Sequence, residues 1–251
     1  MRQRSPWPVG AYLLSATSLV LGAGSLLLLL VFLFAGPLHL VELGLSNGAA
    51  LALDAALSVA FFLQHSTMTR AWFRRRLARR VPEQFHAAVY SAVSGVLLLL
   101  LLVLWQETSQ ALVQAEGPLR WILRGLFLLT LLGFVWGEQA LGPLDTFGLR
   151  AMRQHLRGEQ PRKARFVVRG PYRWVRHPLY LFALVLFWTF PVWTPDRLLF
   201  NVLWSAWVFV GTMLEERDLV RTFGEPYREY QRRVPMLLPL RLRPVRWPGS
   251  A

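Results

Sequence analysis

Two polar clusters interrupt an otherwise apolar chain and hold the residue types that could do chemistry. The first is Gly170-Pro171-Tyr172-Arg173-Trp174-Val175-Arg176-His177-Pro178-Leu179-Tyr180, and the second is Glu215-Glu216-Arg217-Asp218, which closes the last long apolar stretch. His177 precedes Pro178, which biases it away from helical geometry, and Pro178 suits the first position of a helix. A helix N-terminus beside Arg173 and Arg176 offers amide N–H groups and a positive dipole end, a place that favours a carboxylate or phosphate. Glu215 and Glu216 favour an ammonium group or ribose hydroxyls. The rings of Tyr172, Trp174 and Tyr180 could stack on a base or contact a cation. A ligand with a carboxylate, an ammonium, a ribose and a purine fits that set. S-adenosyl-L-methionine is one; a nicotinamide dinucleotide is another, though its phosphates call for more cations and less for paired Glu. The competing reading is interfacial anchoring, since Arg, Tyr and Trp belong at lipid headgroups and a Glu pair can simply end a helix.

The elements that must position these clusters are membrane spans. The chain has 251 residues, 54% of them hydrophobic, and a mean hydropathy of +0.36. Several runs are long enough to cross a hydrocarbon layer of roughly 30 Å. The expected fold is an all-α integral membrane protein, a bundle of about six transmembrane helices. The spans lie near residues 10–35, 48–63, 86–105, 121–141, 179–193 and 198–214. The first is too long for the apolar region of a signal peptide. The second carries a small-residue stripe, Ala49, Ala52, Ala56 and Ala60, which lets helices approach closely in lipid. It also carries Asp54, an intramembrane carboxylate that is either functional or a hydrogen-bonding partner within the bundle. Pro191 and Pro195 bracket a tight turn between the last two spans, making them a helical hairpin that brings His177 and Glu215 to one face. The division expected is a four-span bundle over 1–141 and a cofactor-binding core with hairpin and basic tail over 142–251.

The net charge is +14. The arginines fall between apolar runs, so they speak for membrane topology and anionic lipid headgroups rather than nucleic acid. With six spans, the N-terminus, the 64–85 loop, the 142–178 connection and the tail share one side and hold 2, 6, 9 and 8 Lys and Arg, against Arg120, Arg124 and Arg197 on the other. That asymmetry puts both termini in the cytoplasm of a multi-pass protein, in the bacterial inner membrane. The absence of cysteine excludes disulfides, thiolate metal sites and a Cys nucleophile. His39, His65, His86, His155 and His177 show no tight ligand spacing, so no metal is expected.

The run Gly170-Pro171-Tyr172-Arg173, Arg176-His177-Pro178 and Tyr180, followed by Glu215-Glu216, Leu219, Phe223-Gly224, Tyr227, Tyr230 and Val234-Pro235, resembles the C-terminal signature of the isoprenylcysteine carboxyl methyltransferase and phospholipid methyltransferase superfamily. These are integral membrane enzymes that use S-adenosyl-L-methionine. The resemblance covers the C-terminal third and implies His177, Pro178, Tyr180, Glu215 and Glu216 as cofactor-site residues, with Tyr172, Arg173 and Arg176 beside them. The N-terminal half is most similar to the NnrU-type and methanethiol S-methyltransferase branch. Its carrying residues are Gln64-His65-Ser66, Met68, Arg70, Val81-Pro82-Glu83, Leu144-Asp145, Phe147-Gly148-Leu149-Arg150 and His155-Leu156-Arg157-Gly158. One departure is the opening of the third span, Phe85-His86-Ala87-Ala88-Val89-Tyr90, where only Tyr90 keeps a polar group in place of a charged, hydroxyl-rich stretch.

The reaction this resemblance implies is methyl transfer, with a small thiol as acceptor or, as the main rival, a lipid or prenyl-cysteine carboxylate. A thiol must lose its proton first, because the thiolate is the nucleophile. His65 is the candidate base, Gln64, Ser66 and Tyr90 are candidates for binding the acceptor, and Glu138, near the end of the fourth span, is the candidate partner of His65. Asp54 lies roughly 16 Å up the helix from His65 and is too deep to orient it. Two other classes compete: a non-catalytic membrane protein, such as a transporter or an accessory factor of nitrogen-oxide metabolism, and a nicotinamide-dependent membrane reductase, for which no Gly-x-Gly-x-x-Gly fingerprint is present.

Overall fold

The computed structural model describes residues 8–142, 145, 147–157, 166–241 and 243–247. Arg2, Arg4, Leu144, Gly158, Arg162, Lys163, Arg165 and the side chains of His155, Leu156 and Arg157 lie outside the described residues. The described residues are largely helical, with one antiparallel ribbon of two residues per strand among them. Five described helices are long and apolar enough to cross a membrane, and a sixth, shorter apolar helix lies between the fourth and fifth of them. It is a multi-pass membrane protein. By contacts the chain forms two units, one of residues 1–108 with 145–163, the other of 109–144 with 164–251. In this grouping the fourth span goes with the C-terminal residues.

In the N-terminal unit, α1 (Pro8–Ser18) and α2 (Gly24–Ala35) are joined by a π turn over Leu19–Ala23, so the first span is one apolar rod with a bulge. Ser46 caps α3 (Asn47–Thr69) by accepting the Ala49 N–H at 3.4 Å. A sharp turn at Arg70 leads into the short α4 (Ala71–Leu77), and α5 (His86–Leu104) packs against both the α1–α2 rod and α3. Asp54 is fully buried and accepts the Gln106 backbone N–H at 3.0 Å. The Gln106 side chain binds in turn to Leu43 N–H and the Val41 carbonyl. The intramembrane carboxylate therefore satisfies backbone freed where α5 ends.

In the C-terminal unit, α6 (Gly117–Leu141) presents most of its apolar surface outward, as a lipid-facing helix does. The short α8 (Pro178–Trp188) packs on it. The nine-residue α7 (Leu149–Arg157), which belongs to the other unit, is capped by Asp145 through the Arg150 and Ala151 N–H groups. Eleven residues of α8 rise about 16 Å, so the fifth segment is shorter than the sequence implies. Thr189 to Pro191 leave the helix, and Val192–Trp193 (β2) pair with Val113–Gln114 (β1). Thr194 and Pro195 then start α9 (Pro195–Phe223), whose 29 residues reach well past 198–214. Gly224, at φ 63°, turns the chain into α10 (Glu225–Arg233). Val168, Tyr227, Tyr230 and Val234 form the core that α10 buries, roofed by Phe166, Phe223 and Trp247.

Candidate functional site

The C-terminal cluster is built where the start of α8 meets the end of α9. The two helices run antiparallel, so residues distant in sequence become neighbours. Glu216 sits at the centre and is 7% exposed. Its Oε1 accepts from His177 Nε2 at 2.7 Å, Arg176 Nε at 2.8 Å and the Tyr227 hydroxyl at 2.8 Å. Its Oε2 accepts from Arg176 Nη2 at 2.9 Å and from Gln231 Nε2. Both carboxylate oxygens are thus occupied by protein donors. A carboxylate only accepts, so His177 carries a proton on Nε2.

Arg176 is equally engaged. Its Nη1 donates to the carbonyls of Val234 at 2.5 Å and Gln231 at 3.2 Å. The two amides before α8 are taken as well, Arg176 N–H by the Pro235 carbonyl at 2.9 Å and His177 N–H by Met236 at 3.1 Å. Arg173 donates Nε to the Val245 carbonyl at 3.0 Å. The tail returns over the 170–177 turn and takes up Arg173 Nε, Arg176 Nη1 and the backbone N–H groups of Arg176 and His177, so these donors build the wall beside the start of α8.

Glu215 is different. Its side chain is 43% exposed, and Oε2 accepts the Tyr180 hydroxyl at 2.5 Å. His177 Nδ1 lies 3.9 Å from the same oxygen, and the His177 and Tyr180 rings are parallel with centroids 5.4 Å apart. These groups face a cavity of about 390 Å³, a size typical of small-molecule sites. Its polar lining includes Tyr172, Arg176, His177, Tyr180, Glu215, Tyr227 and Tyr230, and its apolar lining Leu141, Phe166, Leu219 and Phe223. Burial, and then the nearby Glu215 and Glu138 carboxylates, push the Tyr172 phenol up from its ordinary value. Glu138 is exposed on α6 and belongs electrostatically to this group. Burial also pushes up the phenols of Tyr227, which shares the Glu216 bond, and Tyr230, whose hydroxyl donates to the Tyr172 carbonyl at 2.6 Å. Pro178 opens α8 at its first position and is buried. The arrangement is a half-apolar pocket with a carboxylate and aromatic rings on its polar side, suited to a cation attached to a flat, apolar group.

The second group lies in the N-terminal unit. Gln64, His65 and Ser66 fall within α3, which continues to Thr69, rather than at its end. The Tyr90 hydroxyl on α5 sits 2.6 Å from His65 Nε2 and 2.9 Å from Nδ1, with the rings 5.1 Å apart. Gln64 Nε2 donates to Ser94 Oγ at 3.2 Å and approaches Met68 Sδ at 2.9 Å. Three consecutive helical residues point about 100° apart, so Gln64 and His65 reach α5 while Ser66 enters neither of these bonds; its carbonyl accepts from Thr69 Oγ1.

Sequence reasoning missed Gln231 and gave Tyr227 no role. Their signal was weak but present: after the helix-ending Gly224, Tyr227, Tyr230 and Gln231 recur at helical spacing on one face.

The sequence profile of the phospholipid methyltransferase family matches residues 124–226, a stretch that holds both halves of the Glu216 network's α8–α9 frame. Methanethiol S-methyltransferase 2 of Bradyrhizobium diazoefficiens is 35% identical over 192 residues, 76% of this chain and 74% of that one. Methanethiol S-methyltransferase of a Pseudomonas species is 36% identical over 203 residues, 79% and 76% of the two chains. The chain belongs to the methanethiol S-methyltransferase family. The Mycobacterium tuberculosis member is 34% identical over 193 residues, 76% of this chain and 79% of its own. No solved structure matches the chain. As a member of this family the protein is a membrane-embedded methyltransferase, and the family implies a methyl donor.

Proposed function

We propose that the protein transfers the methyl group of S-adenosyl-L-methionine to a small thiol, methanethiol first among them, giving dimethyl sulfide. The observation that carries the reading is the level and extent of identity to methyltransferases whose names specify methanethiol. The pocket of the C-terminal unit suits the donor: a half-exposed carboxylate and aromatic rings for a cationic group, and an apolar side for a base. Bound there, S-adenosyl-L-methionine would supply a methyl carbon on a sulfonium, open to in-line displacement.

In this reading Glu215, Tyr180, Tyr172 and His177 hold the donor, Glu138 adds negative charge near Tyr172, and Glu216, Arg176, Arg173 and Pro178 position the wall. His65 accepts the thiol proton, Tyr90 orients the imidazole, and Gln64 and Ser66 serve the acceptor. Residues 142–251 supply the donor-binding core, joined there by Glu138 and Leu141 at the end of α6, and the acceptor group comes from within residues 1–141. The thiolate would form the new S–C bond as the donor's C–S bond broke, the demethylated donor would leave as a thioether, and His65 would take the thiol proton and pass it to water. The basic-residue asymmetry supports a bacterial inner-membrane location with both termini cytoplasmic.

The test is calorimetric titration of the detergent-purified protein with S-adenosyl-L-methionine, followed by gas chromatography of dimethyl sulfide after methanethiol is added. Saturable binding and dimethyl sulfide production are expected. Binding without product, but with methylation of a lipid or prenyl-cysteine carboxylate, would replace the acceptor. The absence of binding by folded protein would overturn the proposal.

A further inference from the structure

A second cavity, of about 830 Å³, lies wholly in the N-terminal unit, in the elbow between the end of α3, α4 and the start of α5. Its lining combines apolar side chains, Met68, Leu77 and Ala87, with Arg74 and Arg75. Glu83 also lines it, and the local balance is positive, because Arg70, Arg74, Arg75, Arg76, Arg79 and Arg80 crowd the same segment. His86 and Tyr90 complete the lining, with their polar groups engaged by the Val81 carbonyl at 2.8 Å and by His65.

The depth of this cavity follows from the chain. α3 has the length and apolarity of a span and ends at Thr69. Arg70 is extended, and α4 then runs off at the point where the span leaves hydrocarbon. Trp72, 55% exposed, and the arginines beside it are the side chains of a headgroup layer. A cavity at that level with both cations and apolar side chains on its lining complements an amphiphile that carries a phosphate and hydrocarbon. A free phosphate would leave the apolar lining unfilled.

We propose that this cavity binds an anionic phospholipid, its phosphodiester on Arg74 and Arg75 and the start of its acyl chains on Met68 and Leu77. The site is apart from the donor pocket, and it adjoins the proposed acceptor group through Tyr90, which lines both. A lipid such as phosphatidylglycerol has no thiol, amine or carboxylate to be methylated, so it occupies the site as a bound component and not as a substrate.

The full-length protein in nanodiscs of equal parts phosphatidylglycerol and phosphatidylcholine tests this by native mass spectrometry of retained lipid. The cavity pair Arg74→Gln/Arg75→Gln is compared with Arg79→Gln/Arg80→Gln, which removes the same charge from the same segment outside the cavity lining. All four side chains are exposed, so both variants keep the fold. The wild type is expected to retain phosphatidylglycerol in preference, the cavity variant to lose at least about tenfold of that retention, and the control to keep it. Thermal stabilisation by added phosphatidylglycerol should follow the same order. An equal fall in both variants would reduce the effect to diffuse attraction, and a wild type without preference would remove the site. Displacement of the lipid by inorganic phosphate would make it a phosphate site instead; each of these three results overturns the proposal.

Discussion

The guanidinium of Arg176 and the carboxylate of Glu216 meet side-on, Nε to Oε1 at 2.8 Å and Nη2 to Oε2 at 2.9 Å, with both side chains about nine-tenths covered. This two-bond geometry needs the planar fork of an arginine. It ties the turn before α8 to the end of α9, and His177, Tyr227 and Gln231 complete the carboxylate's coordination.

Removing one partner of such a pair leaves the other buried and uncompensated. Glu216→Gln is expected to cost about 3 kcal/mol of stability and to abolish donor binding, because the wall carrying His177 collapses. Arg176→Lys keeps the charge but not the fork, and should recover only part of both. Thermal unfolding and calorimetric titration of the two variants check this.

Glu215 separates binding from stability. Its side chain is half-open to the pocket and answers to Tyr180. Glu215→Gln should change stability by less than about 1 kcal/mol and weaken donor binding at least about tenfold. Equal binding by wild type and variant would take Glu215 out of the site.

His65 and Tyr90 face each other across α3 and α5. If His65 takes the thiol proton, His65→Ala lowers kcat by about a hundredfold or more and leaves donor affinity untouched. Tyr90→Phe keeps the ring contact and loses the hydroxyl, and a smaller fall is expected. Initial rates of dimethyl sulfide formation, with thiolate supplied at raised pH, distinguish a base from a packing residue: raised pH rescues His65→Ala only in the first case.

Close packing gives a contrast between two glycines. A methyl at Gly95 on α5 would stand 2.5 Å from the Leu21 carbonyl oxygen in the π turn, and backbone cannot swing aside. At Gly137 on α6 the nearest atom is Leu179 Cδ2 at 2.6 Å, the end of a flexible side chain. Gly95→Ala should destabilise by about 2 kcal/mol and Gly137→Ala by clearly less, as read from thermal unfolding in detergent.

The buried phenols set an alkaline limit. Tyr172, Tyr227 and Tyr230 have folded values above the ordinary 10.0. The unfolded chain therefore releases these protons first, so the stability they hold is complete below about pH 10 and falls as pH rises beyond it. The expected record is loss of folded protein above pH 10, with tyrosinate absorbance from Tyr227, isolated by difference from Tyr227→Phe, appearing only as unfolding proceeds.

The spans, the hairpin and the pairing of His177 with the Glu215–Glu216 end of α9 were legible in the sequence, because apolar runs and Pro punctuation are local signals. The roles within the cluster were not. Glu215 and Glu216 look alike in the chain, yet one is enclosed by four side chains and the other opens to a cavity. Arg173 and Arg176 look alike in the chain too, yet Arg176 grips Glu216 with two bonds while Arg173 reaches the Val245 carbonyl through Nε. That Glu138 acts electrostatically on Tyr172, and that the Tyr90 hydroxyl reaches His65, could not be read along the chain either.

The sequence by itself determined that this is a helical membrane protein with two polar clusters brought together by an antiparallel hairpin, and it carried the family signature. Hydropathy, proline geometry and charge asymmetry act along the chain and can be read along it. Only the tertiary structure decided which donor reaches which acceptor. Hydrogen bonds between Arg176 and Gln231, or between Tyr180 and Glu215, depend on helix rotation and on where the tail lies. No run of residues states those, because they follow from the packing of all the elements at once.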